Sequence, residues 1–176
     1  PWAHRTWLVF KLRNLEKTLK ILTTKANINK GRWELKPTWL GCNTLEQIYK
    51  ICESPPSYRA TVPALIDPIG GKAKKPTILG NESAQLVEVL NKWPNIIDSI
   101  DLAPQDLQKE INQWSDLLQS SVNNGVYKCG FARNQTAYNK ASDQLFNSLE
   151  KLEKNLKNNG PWLCGERLTI ADIRLF

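Results

Sequence analysis

The chain has 176 residues, 41% of them apolar, which is enough to pack one domain or two small ones. No apolar run approaches the roughly 18 residues of a membrane-spanning helix. The formal net charge of +7 is concentrated in residues 1–36, which hold nine Lys and Arg against two Glu.

The basic residues 1–36 have two main interpretations. A solvated basic face is the ordinary one, and attraction of a small anionic ligand is the other. Binding to nucleic acid is not favoured, because no recognised motif and no interleaved basic and aromatic stripe accompanies the charge. We therefore expect neither nucleic acid nor a membrane as a partner.

The four cysteines are widely scattered, and His4 is the single histidine. This pattern argues against a zinc site and against a Cys–His or Ser–His catalytic pair, so we expect no metal. The sequence lacks the pattern of a signal peptide, which favours reduced thiols and a cytoplasmic location. Helix signals at both ends also lead us to expect part of a longer protein.

The first predicted element is a helix over residues 1–15. Pro1 suits a first helical position, and Leu8, Leu12 and Leu15 follow at helical spacing. Alternation and β-branched residues predict a strand over 17–24. Residues 25–41 are polar and rich in turn formers, which predicts a long surface loop.

Thr44 and Gln47 fit a capping box, which predicts a short helix after the loop. A strand is predicted over 62–66, with Pro63 confined to its start or edge. A second strand over 76–79 and a helix over 83–91 follow.

Two prolines and a lack of periodicity predict a linker over residues 94–104. Beyond it the apolar pattern is helical. Residues 158–161 should end the second helix of that region, and Thr169 with Asp172 forms a capping box that should begin a third.

One additional strand before residue 1 would give residues 1–91 the β-α-β-α-β-β-α order of a thioredoxin-like domain. An all-helical region follows it. The fold class predicted is therefore an α/β thioredoxin-like domain, with its first strand missing here, followed by an all-α C-terminal domain, which is the layout of glutathione transferases.

Several motifs resemble one family in particular. Residues 1–5, Pro-Trp-Ala-His-Arg, are similar to the segment that follows the nucleophilic cysteine in the Xi-class glutathione transferases, the glutathionyl-hydroquinone reductases. Residues 58–65, 81–83, 122–132 and 163–176 resemble further segments of that class, in the same order. The resemblance covers essentially the whole chain, and implies a glutathione-binding domain over 1–93 and an incomplete helical domain over 105–176.

The resemblance implies where glutathione binds as a cosubstrate. A cis peptide at Pro63 would present the Val62 backbone to the cysteinyl group of glutathione. Glu82 and Ser83 would hold the γ-glutamyl end. Trp2 would line the same pocket. A trans Pro63, a Ser83 that only caps its helix, and a Trp2 that only packs in the core are the alternatives.

Three further residues complete the implied site. Trp33 corresponds to a tryptophan that packs on glutathione, although its context is one residue longer here and has Leu for Phe; core packing is the alternative. Tyr127 would assist the quinol as a catalytic residue, or else is a buried structural tyrosine. The nucleophilic cysteine would precede Pro1. His4 is expected to pack or cap rather than to act as a base, and the four cysteines present are expected to be inert.

The activity implied is glutathione-dependent reduction of glutathionyl-hydroquinones, through a mixed disulfide between the cysteine and glutathione. The partners implied are glutathione, glutathionylated hydroquinones and a second copy in a homodimer. The 176 residues alone, without the thiol, should be inactive. Two alternatives stay open: an omega-like thioltransferase or dehydroascorbate reductase, and a non-catalytic binding module with the same fold.

Overall fold

The computed structural model describes residues 2–54, 59–94 and 99–175. The chain divides into two compact units, Pro1–Leu90 and Asn91–Phe176. The first contains helices and two small sheets, and the second is helical. This is the two-part layout expected of a glutathione transferase fold.

The first unit begins with helix α1, Trp2–Leu12. Its buried side chains are Arg5, Val9 and Phe10, whereas Leu8 and Leu12 are only partly buried. The leucine face predicted from spacing is therefore not the most buried face. Leu15 lies in a short 3-10 turn after the helix and is fully buried.

Residues 25–41 form a sheet, so the prediction of a long surface loop is wrong. Strands β1 (Thr24–Asn27), β2 (Arg32–Trp39) and β3 (Cys42–Thr44) form an antiparallel sheet in the order β1-β2-β3. The β2 strand tolerates Pro37 because its register with β3 shifts between Glu34 and Trp39, and a proline is compatible with such an irregularity. The Lys36–Pro37 peptide is cis.

The strand predicted over 17–24 is also wrong in its position. Residues 19–23 carry no strand assignment, and β1 begins only at Thr24. Alternating side chains favour an extended backbone, but a strand also requires a neighbouring backbone to pair with. Among the described residues, β2 supplies that partner to Thr24–Asn27 alone.

Helix α2, Leu45–Ile51, begins as predicted. The Thr44 hydroxyl accepts a hydrogen bond from the Gln47 backbone N–H at 3.3 Å, and the Gln47 side chain accepts one from the Thr44 N–H at 3.2 Å. This reciprocal pair is a capping box. The helix buries Leu45, Ile48 and Tyr49.

The last strands of the unit are β4 (Leu65–Asp67) and β5 (Thr77–Gly80), which pair antiparallel. The predicted strand at 62–66 is thus displaced towards the C-terminus. Gly70, with φ +67°, belongs to the connection between them, where an added Cβ would come within 1.5 Å of the Lys75 carbonyl oxygen. Helix α3 spans Ser83–Asn91, as predicted from its apolar spacing.

The second unit consists of helices. They are α4 (Gln108–Leu117), α5 (Asn124–Gly130), α6 (Gln135–Asn159) and α7 (Ile170–Leu175). A π-helical segment, Leu118–Asn123, joins α4 to α5. No sequence pattern predicts this segment.

Two predicted boundaries in the second unit are confirmed. Helix α6 ends before Gly160, whose φ of +120° is accessible chiefly to glycine. At the start of α7, the Asp172 carboxylate accepts hydrogen bonds from the Thr169 N–H at 2.8 Å and the Thr169 hydroxyl at 3.0 Å. The predicted linker lies partly outside the described residues.

Across residues 2–54, 59–94 and 99–175, none of the helices combines the length and the apolarity required to span a membrane. The same residues contain no cluster of His, Cys, Asp and Glu side chains arranged to hold a metal ion.

Candidate functional site

The Val62–Pro63 peptide is cis, and a buried tyrosine holds the backbone next to it. The hydroxyl of Tyr49, which is 4% exposed, donates a hydrogen bond of 2.8 Å to the Thr61 carbonyl oxygen. The same hydroxyl accepts a hydrogen bond of 3.3 Å from the Asn81 side chain. Tyr49 therefore joins the segment before the cis proline to the segment before α3.

Asn81, Glu82 and Ser83 form the junction between β5 and α3. The Glu82 carbonyl accepts hydrogen bonds from the Gln85 and Leu86 N–H groups at 3.0 and 2.9 Å, so the N-cap position falls on Glu82. This places Ser83 one residue inside the helix, rather than at the cap. The Glu82 side chain is exposed, so its carboxylate is available to an ammonium group.

Ser83 is buried, and its hydroxyl accepts hydrogen bonds from an arginine near the start of the chain. The Arg5 Nε and Nη2 atoms donate to Ser83 Oγ at 3.0 and 2.7 Å. Arg5 is 4% exposed, and its guanidinium carbon lies 4.6 Å from the ring centroid of Trp2, within the range of a cation–π contact. Trp2, Arg5 and Ser83 are thereby brought together.

Trp33 occupies β2 and pairs with Ala26 of β1. It is half-buried, so it is neither a fully buried core residue nor fully exposed. Its strand neighbour Leu35 is buried in a cluster with Cys42 of β3 and Ile48 of α2. A role for Trp33 on glutathione remains a prediction.

A cavity of about 630 Å³ lies between α1, residues 18–24 and residues 62–68. Val62 and Pro63 line it, but Glu82 and Ser83 do not. Its lining is mostly apolar, with side chains such as Phe10, Leu22 and Leu86. Because Glu82 and Ser83 are not among its lining residues, we do not assign this cavity to glutathione.

His4 and the four cysteines are the residues that the sequence predicts to take no part in the chemistry. The His4 ring stacks on Trp7 with centroids 6.0 Å apart. None of the four cysteines, all within the described residues, forms a disulfide. Burial is the main cause of a raised pKa at both Cys52 and Cys164, which disfavours the thiolate needed for nucleophilic attack.

Tyr127 belongs to the second unit, on α5. Its side chain is 41% exposed, which is incompatible with the alternative of a buried structural tyrosine. Its ring stacks on Phe131 with centroids 6.2 Å apart. Tyr127 is thus partly exposed, and its contribution to chemistry remains a prediction.

Two residues of this site had no role in the sequence-based prediction. In the sequence Arg5 belongs to a family-like motif that does not indicate its role, and no pattern marks Tyr49. Both act through partners distant in sequence, Ser83 for Arg5 and Thr61 for Tyr49, so their spacing along the chain carried no signal. The one available indication for Arg5 is its place on the buried face of a helix, because a buried charge requires a partner.

A family model, described as the C-terminal domain of glutathione S-transferases, matches residues 117–176. Over its full length the chain is similar to the glutathionyl-hydroquinone reductase PcpF of Sphingobium chlorophenolicum, with 33% identity and 57% of that protein covered. It is also 34% identical to the glutathione S-transferase omega-like 2 of Schizosaccharomyces pombe, of which it covers 59%. The chain thus spans somewhat more than half the length of these relatives.

Solved structures are also similar to this fold, and two of them illustrate the likeness. The glutathione-bound structure of YqjG, a glutathione transferase homologue from Escherichia coli, matches 99% of the chain at 35% identity with a TM-score of 0.84, and 58% of its own chain is covered. The Xi-class glutathione transferase of Natrialba magadii matches the whole chain at 30% identity with a TM-score of 0.85, and 55% of its own chain is covered.

Proposed function

For this chain, which belongs to the glutathione transferase family and is a homologue of its Xi-class members, we propose a role in the reduction of glutathionyl-hydroquinones. The whole protein would convert them to hydroquinones, with glutathione as the reductant. The reductase name of the similar PcpF protein supports the substrate class. The glutathione bound to the similar YqjG structure supports the cosubstrate.

The observation that carries the proposal is the connection made by Tyr49. Its hydroxyl joins the Thr61 carbonyl oxygen, next to the cis Val62–Pro63 peptide, to Asn81, next to Glu82 and Ser83. A glutathione site of the implied kind requires these two segments in fixed relation. The Val62 backbone would bind the cysteinyl group, while Glu82 and Ser83 would bind the γ-glutamyl ammonium and carboxylate.

The chemistry proposed is thiol exchange at a cysteine that precedes Pro1. A position at the beginning of α1 lowers a thiol pKa, because the helix dipole favours the thiolate. The thiolate attacks the glutathione sulfur attached to the aromatic ring. The sulfur–carbon bond breaks, and its electron pair stays on the ring carbon, which takes up a proton. This step releases the hydroquinone and leaves a mixed disulfide between the cysteine and glutathione.

A second glutathione completes the cycle. Its thiolate attacks the mixed disulfide, which yields glutathione disulfide and regenerates the cysteine thiolate. The net reaction oxidises two glutathionyl sulfurs to a disulfide and reduces the ring carbon. Within this scheme Trp2 and Trp33 pack against glutathione. Tyr127 donates a hydrogen bond to a hydroquinone oxygen, which stabilises charge that develops on the ring.

The test is an assay of the full-length protein with a glutathionyl-hydroquinone and glutathione. We expect hydroquinone and glutathione disulfide in equal amounts. Replacement of the cysteine before Pro1 by alanine should abolish the reaction, whereas Cys129→Ser should leave it unchanged. Absence of a cysteine at that position would disprove the mechanism.

A second candidate is an omega-like thioltransferase or dehydroascorbate reductase, which the name of the similar Schizosaccharomyces pombe protein favours. Both candidates use the same cysteine chemistry and the same glutathione site. A mixed-disulfide substrate assayed beside the glutathionyl-hydroquinone separates them. We further propose that the full-length protein is a cytoplasmic homodimer. Light scattering would test the dimer, and cell fractionation would test the location.

A further inference from the structure

Arg5 places a positive charge inside the first unit, directly behind a serine hydroxyl. Its side chain is 4% exposed and that of Ser83 is 5% exposed. Two nitrogen atoms of the guanidinium donate to the same oxygen, Ser83 Oγ, at 3.0 and 2.7 Å. A buried arginine is costly to desolvate, so such a contact requires a reason beyond packing.

The donors and acceptors of these two groups determine which further hydrogen bonds Ser83 can form. A serine hydroxyl has one O–H donor and two acceptor lone pairs, and a guanidinium has donors only. With two donors from Arg5 directed at Oγ, both lone pairs are engaged. The Ser83 O–H is then restricted to donating, and the cation behind it makes it a stronger donor.

The surroundings of this hydroxyl favour an anion as its partner. Ser83 is the first residue of α3, a helix of nine residues, where the helix dipole adds partial positive charge. The guanidinium adds a full positive charge within hydrogen-bond distance of Oγ. A carboxylate would be stabilised by the Ser83 O–H, by the helix dipole and by the Arg5 charge. A neutral or cationic group would gain little from this arrangement.

We propose that Arg5 is the positioning residue for the γ-glutamyl carboxylate of glutathione. It fixes the rotamer of Ser83, engages both of its lone pairs and directs its O–H towards the carboxylate. This inference rests on the proposed function, because it takes glutathione as the ligand. It adds that selectivity for ligands with this carboxylate depends on a side chain from α1, the helix that also follows the proposed nucleophile.

The test measures glutathione binding to the full-length protein by calorimetry, independently of turnover. Arg5→Met removes the charge and the donors while it retains an apolar side chain of similar length. We expect it to weaken glutathione binding by about tenfold or more, as for the loss of a hydrogen bond to a charged group. Arg13→Met, at a second buried arginine of the same segment, is the matched control and should leave the Kd unchanged.

A glutathione analogue that lacks only the carboxylate of its γ-glutamyl group separates positioning from a structural role. Its Kd should be the same for wild type and Arg5→Met. In a Ser83→Ala background, Arg5→Met should weaken glutathione binding much less than it does in the wild type, because most of its effect passes through that hydroxyl. Equal weakening for glutathione and the analogue, or an undiminished effect in Ser83→Ala, would overturn the proposal.

Arg5→Lys keeps the experiment informative if Arg5→Met does not fold. A single ammonium cannot place two nitrogen donors as the guanidinium does, so we expect weaker glutathione binding with no change for the analogue; unchanged glutathione binding would overturn the proposal. Failure of the proposed reaction is distinguishable, since it would appear as absent turnover in a wild-type protein that still binds glutathione.

Discussion

The Tyr49 hydroxyl lies 2.8 Å from the Thr61 carbonyl oxygen and connects the buried face of α2 to the backbone before the cis Val62–Pro63 peptide. Because the same oxygen accepts from Asn81, a single atom links both halves of the candidate glutathione site. The geometry of that site thus depends on a side chain outside the recognised motifs.

Removal of this hydroxyl should weaken both the fold and the site. Tyr49→Phe leaves the Thr61 carbonyl and the Asn81 amide without this partner, and we expect a loss of about 1–2 kcal/mol in the free energy of unfolding. The Kd for glutathione should rise as well. Urea unfolding and calorimetry would measure the two effects. Tyr138→Phe, at an exposed position of α6, is the control and should change neither quantity.

The capping box of α2 should contribute measurably to stability. Thr44→Ala removes the acceptor for the Gln47 N–H, and we expect a cost of about 1 kcal/mol. Thr44→Ser retains the hydroxyl and should recover most of that loss. Thermal unfolding of the three proteins provides the comparison, and equal stability of Thr44→Ala and wild type would show that the cap contributes nothing.

Gly70 and Gly71 offer a matched pair in the connection between β4 and β5. Both have positive φ, at +67° and +51°, but an added Cβ at Gly70 meets the Lys75 carbonyl oxygen, whereas at Gly71 no atom lies within 4 Å. Gly71→Ala should therefore cost only the left-handed backbone term of about 1–2 kcal/mol. Gly70→Ala should lower the free energy of unfolding distinctly more. Urea unfolding of both variants measures the two losses, and equal losses would disprove this explanation.

The raised pKa of one buried thiol predicts how the free energy of unfolding depends on pH. Burial raises the pKa of the Cys164 thiol above its ordinary value, so the folded state favours the protonated thiol. The resulting stability is fully present below the pKa of the unfolded state, and it is lost as pH rises through the folded pKa. Urea unfolding should show a decline on the alkaline side of that ordinary value, and iodoacetamide at pH 8 should label Cys164 at least about tenfold more slowly in the folded than in the unfolded protein.

Local signals were sufficient for several elements of the fold. The capping residues Thr44 and Gln47 located α2, apolar spacing located α3, and the Thr169–Asp172 pair located α7. Each of these signals is complete within a few consecutive residues. The resemblance of residues 58–65 to a family motif further predicted the cis Pro63.

Features that depend on distant partners were missed or misplaced. The sheet over residues 24–44 forms because β1 and β3 both pair with β2, and the polar, turn-rich composition concealed that pairing. Similarly, the roles of Arg5 and Tyr49 exist only through Ser83 and Thr61. Pairing between distant residues is determined by tertiary structure, which composition and periodicity do not encode directly.

The most direct test of the proposed chemistry is to trap its covalent intermediate. The full-length protein is incubated with a glutathionyl-hydroquinone in the absence of glutathione, and peptide mass mapping locates the adduct. We predict one glutathione in disulfide linkage to the residue that precedes Pro1, with one equivalent of hydroquinone released. An adduct confined to Cys42, Cys52, Cys129 or Cys164, or hydroquinone release without any adduct, would contradict the proposal.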